Sequence, residues 1–160
     1  MAAGSELHGT DTDAEAIAWC RDHLPARFGV NAELPPLDYE DSSFDLIYAI
    51  SVFTHLTEEL GLAWAQELAR VLRPGGYALL TTLGARYRDG LTPKERARFD
   101  AGELVVRRPE AVGSNLCAAF HPRAYVQETL AGPGSLEPVE FVPEGATGNP
   151  HQDLHLLRKP

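Results

Sequence analysis

The stretch at residues 45–53 places the strongest constraint on the fold of this chain. It has the sequence DLIYAISVF, with apolar side chains on both alternating sets of positions. A strand that is apolar on both faces is typical of a parallel sheet covered by helices on two sides. We therefore expect this strand to lie in the centre of such a sheet. A second apolar strand at residues 76–82 follows the breaker cluster RPGG at residues 73–76, which predicts a helix, a turn and a strand in that order.

Strand-like and helix-like segments alternate along most of the chain, which is the pattern of βα units. One helix is expected to begin after Asp13, a good N-cap residue, and another after Thr57, followed by two glutamates. Strands at residues 136–142 and 153–157 flank a turn-rich stretch and predict an antiparallel hairpin. The sequence predicts one α/β domain over residues 1–160, with a doubly wound, mostly parallel sheet and an antiparallel C-terminal strand.

The charge and composition exclude several classes of partner. The chain has 14 Lys and Arg against 23 Asp and Glu, a formal net charge of -9, which repels nucleic-acid phosphates and anionic membranes. Its first ten residues lack the pattern of a secretory signal, and no apolar run is long enough for a membrane span. Cys20 and Cys117 form no CxxC pair and are interpreted as core residues. We expect a cytoplasmic protein with no nucleic-acid or membrane partner.

The motif GTDTD at residues 9–13 follows a short strand, where ligands bind in doubly wound sheets. An acidic side chain there can accept two hydrogen bonds from the hydroxyls of a ribose, and Asp11 is the candidate for this contact. Two alternatives stay open from the residues alone. Asp11 and Asp13 can be ordinary turn and cap residues, or the pair can hold a divalent metal on a sugar nucleotide, as in a glycosyltransferase.

Two further strand ends carry candidate residues. Asn31 follows the expected strand at residues 27–30 and can contact an adenine edge, or it can be a simple turn residue. His55 follows the apolar strand at residues 45–53 and can act as a general base or pack as a structural histidine. The histidines show no metal-ligand spacing, so we predict no metal site, and no GxSxG frame supports a hydrolase.

Taken together, the motif GTDTD, the stretch NAELPPLDYEDSSFDLIYAISVFTHL and the stretch ELARVLRPGGYALLTT resemble the class I S-adenosylmethionine-dependent methyltransferases. The resemblance covers roughly residues 7–83. It implies that Asp11 binds the cofactor ribose and that Thr12 lies against the adenine. It also implies that Asn31, where most relatives carry an aspartate, and Ala32 address the adenine edge, and that Ile50 lies near the methionine part of the cofactor.

One feature of the family has no counterpart in this sequence. The family begins with a strand and a GxGxG turn that wraps the amino-acid part of the cofactor, and no such turn precedes Asp11. The resemblance therefore implies a Rossmann-like sheet that lacks its first strand, as in a truncated gene product or one with a start codon assigned too late. A non-catalytic remnant that cannot bind the cofactor alone is the main alternative. A nicotinamide oxidoreductase is a further one, and it also needs the missing glycines.

The resemblance implies transfer of a methyl group from S-adenosylmethionine to a small-molecule acceptor. The chain's contribution would be proximity, alignment and exclusion of water, because the sulfonium is already a reactive donor. His55 is the first candidate for a base that deprotonates the acceptor, and Tyr48 is the second. The variable segment at residues 86–122 is expected to frame the acceptor or, alternatively, only to cover the sheet. The sequence does not define the oligomeric state.

Overall fold

A computed structural model describes residues 4–132, 135–148 and 150–160. The chain divides into two compact units, Met1–Asp38 and Tyr39–Pro160. The second unit contains most of the chain. The sequence-based expectation of one domain over the whole chain therefore stays a prediction.

The first unit is a βαβ arrangement. Its elements are β1 (His8–Asp11), α1 (Ala14–His23) and β2 (Arg27–Val30), and the two strands pair in parallel. The Asp13 side chain accepts hydrogen bonds from the amides of Glu15 and Ala16, because the first amides of a helix have no partner within the helix. The N-cap prediction is therefore confirmed. Ile17 is the buried residue on the inner face of α1.

The strands and main helix of the second unit are β3 (Phe44–Ala49), α2 (Glu58–Val71), β4 (Leu72–Thr82), β7 (Glu137–Ala146) and β8 (Gln152–Arg158). The strands form a four-stranded sheet with the order β3, β4, β8, β7. β3 and β4 are parallel, whereas β8 runs antiparallel to both β4 and β7. The predicted C-terminal hairpin and the predicted cap of α2 by Thr57 are both present. The mixed α/β class is confirmed.

Short elements fill the rest of the second unit. They are α3 (Pro93–Asp100), β5 (Val105–Arg107), β6 (Ala118–Phe120), α4 (Arg123–Tyr125), a π-helical continuation at Val126–Leu130, and 3-10 turns at Phe53–His55, Ala85–Gly90 and Pro109–Ala111. β5 and β6 form a separate antiparallel pair. β6 has only three residues and follows a turn-rich stretch.

The position of β3 differs from the sequence-based expectation. In the part of the chain that the structure describes, β3 pairs with β4 alone and is therefore an edge strand. Leu46 is 58% exposed and Tyr48 is 70% exposed, so one face of this strand is not covered. The strand also ends at Ala49 rather than at residue 53, because Ser51 has a φ of 59° and turns the chain away from the sheet. The prediction of a central strand covered on both faces is wrong for the described residues.

The cluster RPGG is also placed differently. α2 ends at Val71, as the breaker cluster predicts, but β4 begins at once with Leu72. The pairing with β3 jumps from Phe44 opposite Leu72 to Leu46 opposite Tyr77, so the residues between form a bulge within the strand. Gly75 has a φ of 81°, a conformation that glycine adopts without strain. The cluster therefore lengthens one strand instead of forming a separate turn.

The apolar residues of the second unit form two clusters. The larger one packs α2 and the π-helical segment against the sheet, and it includes Phe53, Leu68, Leu80, Val126 and Leu157. The smaller one lies in the segment that follows β4 and consists of Leu83, Leu91, Phe99, Val105 and Phe120. Because the second cluster has its own core residues, this segment is an ordered part of the fold and not a loose loop.

Ion pairs fix α3 within that segment. Thr92 and Glu95 form a capping box at the start of the helix, and Glu95 also accepts two hydrogen bonds from the Arg107 guanidinium, at 2.9 and 2.6 Å. These bonds lower the pKa of Glu95 to about 2. Arg88 makes a similar two-bond contact with Asp100. Such paired geometry is more specific than an isolated surface ion pair.

Gly84 occupies a place where a side chain does not fit. A Cβ atom at this position would overlap the Asp153 carboxylate. That carboxylate is buried and accepts hydrogen bonds from the backbone amides of Glu144 and Ala85, so it cannot move aside without losing them. The close approach of Gly84 to Asp153 connects β4, the β7–β8 hairpin and the 3-10 turn at Ala85–Gly90.

Replacement of Gly84 by alanine should therefore destabilise the protein. We expect Gly84→Ala to lower the free energy of unfolding by about 1 to 3 kcal/mol, since the added methyl group displaces Asp153. Gly90→Ala is the matched control, because a Cβ at Gly90 meets no atom within 4 Å. Urea unfolding of both variants measures the difference. Equal stability of the two variants would contradict this packing.

Candidate functional site

The carboxyl ends of β1 and β2 bring Asp11 and Asn31 together. The Asn31 amide donates a hydrogen bond to the Asp11 carbonyl at 3.0 Å, which continues the parallel pairing beyond the strands. The Asp11 side chain is exposed, and its Oδ1 accepts a hydrogen bond from the Asp13 amide at 2.9 Å. Its Oδ2 has no hydrogen-bond partner within residues 4–132, 135–148 and 150–160. The carboxylate is thus oriented by one oxygen and open at the other.

The Asn31 side chain is oriented by its neighbour. Its Nδ2 donates to the Ala32 carbonyl at 2.7 Å, and since a carbonyl can only accept, the amide nitrogen faces Ala32 and Oδ1 is directed away. Thr12 and Ala32 are both exposed beside these groups. An open carboxylate oxygen fits a ribose diol, and an amide oxygen fits the amino group of an adenine. The first unit therefore supplies two hydrogen-bond acceptors whose chemistry fits a nucleoside.

The same residues do not fit a bound cation. The Asp13 carboxylate is already used to cap α1, so the two aspartates of GTDTD have separate tasks. Among the described residues, no group of three or more His, Cys, Asp or Glu side chains could hold a metal ion. The arrangement lacks the paired carboxylates on which the glycosyltransferase alternative depends.

In the second unit, the residues after β3 form a strained turn. Ile50 is 51% exposed, and Ser51 follows it with the left-handed φ of 59°. For a residue other than glycine this conformation costs about 1 to 2 kcal/mol. The Ser51 amide donates to Oγ1 of Thr81 at 2.8 Å, and the Thr54 hydroxyl donates to the Ser51 carbonyl at 3.0 Å. These bonds hold the strained residue in place.

Gln152 completes this network, and the sequence pattern did not identify it. Its Nε2 donates to Ser51 Oγ at 2.8 Å, and its Oε1 accepts a short hydrogen bond from the Thr81 hydroxyl. Ser51 and Gln152 are 101 residues apart in the chain, so no local pattern connects them. The available signal in the sequence was the position of Gln152, a polar residue at the start of a strand with one buried face.

His55 lies at the end of the 3-10 turn Phe53–His55 and is half-buried. Its Nδ1 is 2.8 Å from the Cys117 carbonyl oxygen. Because a carbonyl only accepts, Nδ1 carries the proton of the neutral ring, and Nε2 keeps its lone pair. The His55 carbonyl in turn accepts from the Gly113 amide at 2.9 Å. The ring is therefore held in one orientation, with Nε2 able to accept a proton.

Two other histidines of the second unit, His121 and His155, are buried, and Nδ1 of His121 also lies 3.2 Å from a backbone carbonyl oxygen, that of Ala119. Burial lowers the pKa of His121 to about 3 and that of His155 to about 4. The nearby positive charge of Arg123 lowers the pKa of His155 further, and its Nε2 lies 3.0 Å from the Thr82 hydroxyl oxygen. Both rings stay neutral near neutral pH and serve the packing.

The shifted pKa of His155 predicts a pH dependence of stability. The folded pKa lies below the unfolded value of 6.5, so the unfolded state binds more protons and stability falls as the pH drops from 6.5 towards 4. We expect His155→Gln to flatten this slope by up to about 1.4 kcal/mol per pH unit. Urea midpoints across the pH range measure it. His151→Gln is the control for loss of a histidine, and an unchanged slope in His155→Gln would contradict the assignment.

Comparison with known proteins gives the family. A family model described as a methyltransferase domain matches residues 1–80, which is half of the chain. The chain therefore belongs to the methyltransferase domain family, within the class I S-adenosylmethionine-dependent methyltransferases. This confirms the resemblance found in the sequence, and with it S-adenosylmethionine as the cofactor of the family. The glycosyltransferase and nicotinamide oxidoreductase alternatives have no such support.

Individual relatives agree with this assignment. The chain is 35% identical over 80 residues to phthiotriol/phenolphthiotriol dimycocerosates methyltransferase 1 of Mycobacterium ulcerans, a match that covers 47% of this chain and 28% of the relative. Its fold is similar to that of an S-adenosylmethionine-dependent methyltransferase from Methanosarcina mazei, with a TM-score of 0.67, 21% identity, and coverage of 98% of this chain and 82% of that one.

A second similar structure contains S-adenosylhomocysteine, the product formed from the cofactor. It is the 1,6-didemethyltoxoflavin-N1-methyltransferase of Burkholderia thailandensis with bound 1,6-didemethyltoxoflavin and S-adenosylhomocysteine, with a TM-score of 0.65 and 15% identity. The match covers 98% of this chain and 62% of that one. At these identities the solved structures define the fold alone.

None of the helices in the described residues is long and apolar enough to cross a membrane.

Proposed function

We propose that this chain binds the nucleoside part of S-adenosylmethionine through the carboxyl ends of β1 and β2 and acts in methyl transfer to a small molecule. The observation that carries the proposal is the Asp11 carboxylate. One of its oxygens is fixed by the Asp13 amide, and the other is open to two ribose hydroxyls. A charged acceptor that is already oriented loses little freedom on binding, so each hydrogen bond contributes more to affinity.

The neighbouring residues have distinct proposed tasks. Thr12 is exposed directly after Asp11 and offers its side chain to the face of the adenine. Asn31 directs its Oδ1 away from Ala32, where it can accept a hydrogen bond from the adenine amino group, as the more usual aspartate would. The Ala32 amide is a candidate donor to a ring nitrogen. For the methionine part of the cofactor, the exposed apolar side chain of Ile50 is the proposed contact.

The cofactor supplies a methyl group on a sulfonium, which is already activated for transfer to a nucleophile. The chain would bind the reactants in line and exclude water from them. If the acceptor must lose a proton, His55 Nε2 would take it, because the Cys117 carbonyl fixes the proton of the neutral ring on Nδ1. After this step both nitrogens of the His55 ring would carry a proton.

The acceptor is proposed to lie against the segment at residues 86–122. Gly113 and Cys117 of this segment hydrogen-bond to His55, so the segment is in contact with the proposed base. Leu116 is 58% exposed and precedes Cys117, whose carbonyl contacts the His55 ring. Val52 is 46% exposed, and its carbonyl accepts a hydrogen bond from the His55 amide. These side chains favour an acceptor with apolar surface. The Mycobacterium ulcerans relative is named for methylation of phthiotriol and phenolphthiotriol dimycocerosates, so apolar hydroxyl compounds come first in an acceptor screen.

The role of Asp11 is tested by binding of S-adenosylhomocysteine, the product of the cofactor. We expect Asp11→Ala to weaken binding by about 1.5 to 3 kcal/mol, because a charge-assisted contact with the ribose is lost. Isothermal titration calorimetry on the purified chain measures this difference. Asp11→Asn keeps an oxygen for the Asp13 amide but removes the charge, and it should lie between wild type and Asp11→Ala.

Asp22→Ala is the matched control, since Asp22 is an exposed aspartate of α1 and should leave the affinity unchanged. Equal affinity of wild type and Asp11→Ala would remove Asp11 from the site. A folded chain that binds no S-adenosylhomocysteine at all would favour the non-catalytic alternative.

The role of His55 is tested by turnover. We expect His55→Asn to lower kcat by about 10²- to 10⁴-fold for an acceptor that must be deprotonated, while the affinity for S-adenosylhomocysteine stays near the wild-type value. The asparagine amide can still donate to the Cys117 carbonyl, so the variant keeps the local hydrogen bond but has no base. A wild-type kcat in this variant would return His55 to a structural role.

A further inference from the structure

We propose that Gln152 is a positioning residue that holds Ser51 in its left-handed conformation and thereby sets the orientation of the turn that carries His55. The inference rests on the proposed role of His55 as a base. Gln152 would not touch the reactants. It would act through the backbone of residues 51–55, all of which lie in the second unit.

The hydrogen bonds of Gln152 form a closed ring. The Ser51 amide donates to Thr81 Oγ1, the Thr81 hydroxyl donates to Gln152 Oε1, and Gln152 Nε2 donates to Ser51 Oγ. Each side-chain group has the donor or acceptor that its partner needs, so the direction of every bond is fixed. Removal of Gln152 leaves the Thr81 hydroxyl without its acceptor and leaves Ser51 Oγ with only the longer contact to Thr54 Oγ1, at 3.3 Å.

Because two of its members are buried, this ring of hydrogen bonds determines the backbone conformation of Ser51. Thr81 is fully buried and Gln152 is 4% exposed, so water does not replace a lost hydrogen bond at low cost. Ser51 adopts a φ of 59°, which serine avoids unless its surroundings impose it. Two of the three bonds in the ring end on Ser51, one at its amide and one at its Oγ. The ring therefore imposes the unfavourable conformation.

The strained residue is connected directly to His55. The Ser51 carbonyl accepts from the Thr54 hydroxyl at 3.0 Å, and the Val52 carbonyl accepts from the His55 amide at 3.0 Å. On its other side, the ring of His55 is held by the Cys117 carbonyl at 2.8 Å. If Ser51 relaxes to an ordinary φ, the turn rotates and the bond from Nδ1 to Cys117 is lost. The proton of the neutral ring then exchanges between the two nitrogens.

If Gln152 had only a structural role, loss of a neighbouring buried hydrogen bond would have the same effect on His55 as loss of Gln152. Thr82 is the next residue of β4, is also fully buried, and is hydrogen-bonded to His155 at 3.0 Å. This bond is comparable in burial but does not include Ser51. Thr82→Val therefore removes a neighbouring buried hydrogen bond and is the matched control for Gln152→Leu.

The test is the tautomer of His55, measured by nitrogen-15 NMR of the purified chain without ligand. The His55 signal is assigned from its loss in His55→Asn. We expect wild type and Thr82→Val to show the proton of the neutral ring on Nδ1 alone. In Gln152→Leu the two ring nitrogens should shift towards each other as the tautomers mix. Ser51→Ala removes the same bond by a smaller change and should have the same effect, which keeps the test available if Gln152→Leu does not fold.

Glycine at position 51 provides a rescue. Glycine adopts a positive φ without strain, so the double variant Ser51→Gly with Gln152→Leu should recover the Nδ1 tautomer. Three results would each overturn the proposal: an unchanged tautomer in Gln152→Leu or Ser51→Ala, an equal shift in Thr82→Val, or no recovery in the double variant.

Turnover gives an independent readout once an acceptor is known. We expect Gln152→Leu to lower kcat about tenfold with KM unchanged, and the glycine double variant to recover it. If KM and kcat both fall while the tautomer of His55 does not change, a positioning role would be contradicted. The NMR measurement uses neither cofactor nor acceptor, so failure of the proposed methyl transfer and failure of this inference can be told apart.

Discussion

Parallel pairing of strands is the constraint on which the candidate site depends. It brings the carboxyl ends of paired strands to one edge, so the residues that follow them meet there. In the first unit this places Asn31 next to Asp11, with a hydrogen bond between their backbones. In the second unit the pairing of β3 with β4 places Ser51 within hydrogen-bond distance of Thr81. Without this strand register, Asp11 would not lie beside Asn31, and Ser51 would not lie beside Thr81.

Local signals in the sequence predicted the parts of the fold that depend on local physics. Asp13 and Thr57 cap helices because their side chains reach amides two or three residues away. The edge position of β3 was not predictable, because apolar alternation reports what a strand can bury and not which neighbour it has. The network around Gln152 was also missed, since its members are 30, 71 and 101 residues apart. Such contacts become visible only when the hairpin is placed beside β4.

Three histidines of the second unit have different environments. His121 and His155 are buried, and their pKa values fall far enough to keep them neutral. His55 is half-buried at the end of a turn, and one of its ring nitrogens is fixed by a carbonyl. Nδ1 of His121 also lies near a backbone carbonyl, so the difference between His55 and His121 comes from burial. Sequence alone predicted His55 from its place after a strand and could not supply this contrast.

The most direct measurement of nucleoside binding at the carboxyl ends of β1 and β2 is an NMR titration of the chain with S-adenosylhomocysteine, followed through its backbone amides. We expect saturable shifts at Thr12, Asp13, Asn31 and Ala32, with adenosine alone shifting the same amides more weakly because it carries only the nucleoside part. Asp13 is included because its amide donates to the Asp11 carboxylate. Saturable shifts that leave these four amides unchanged, or no shifts in a folded chain, would contradict binding at this place.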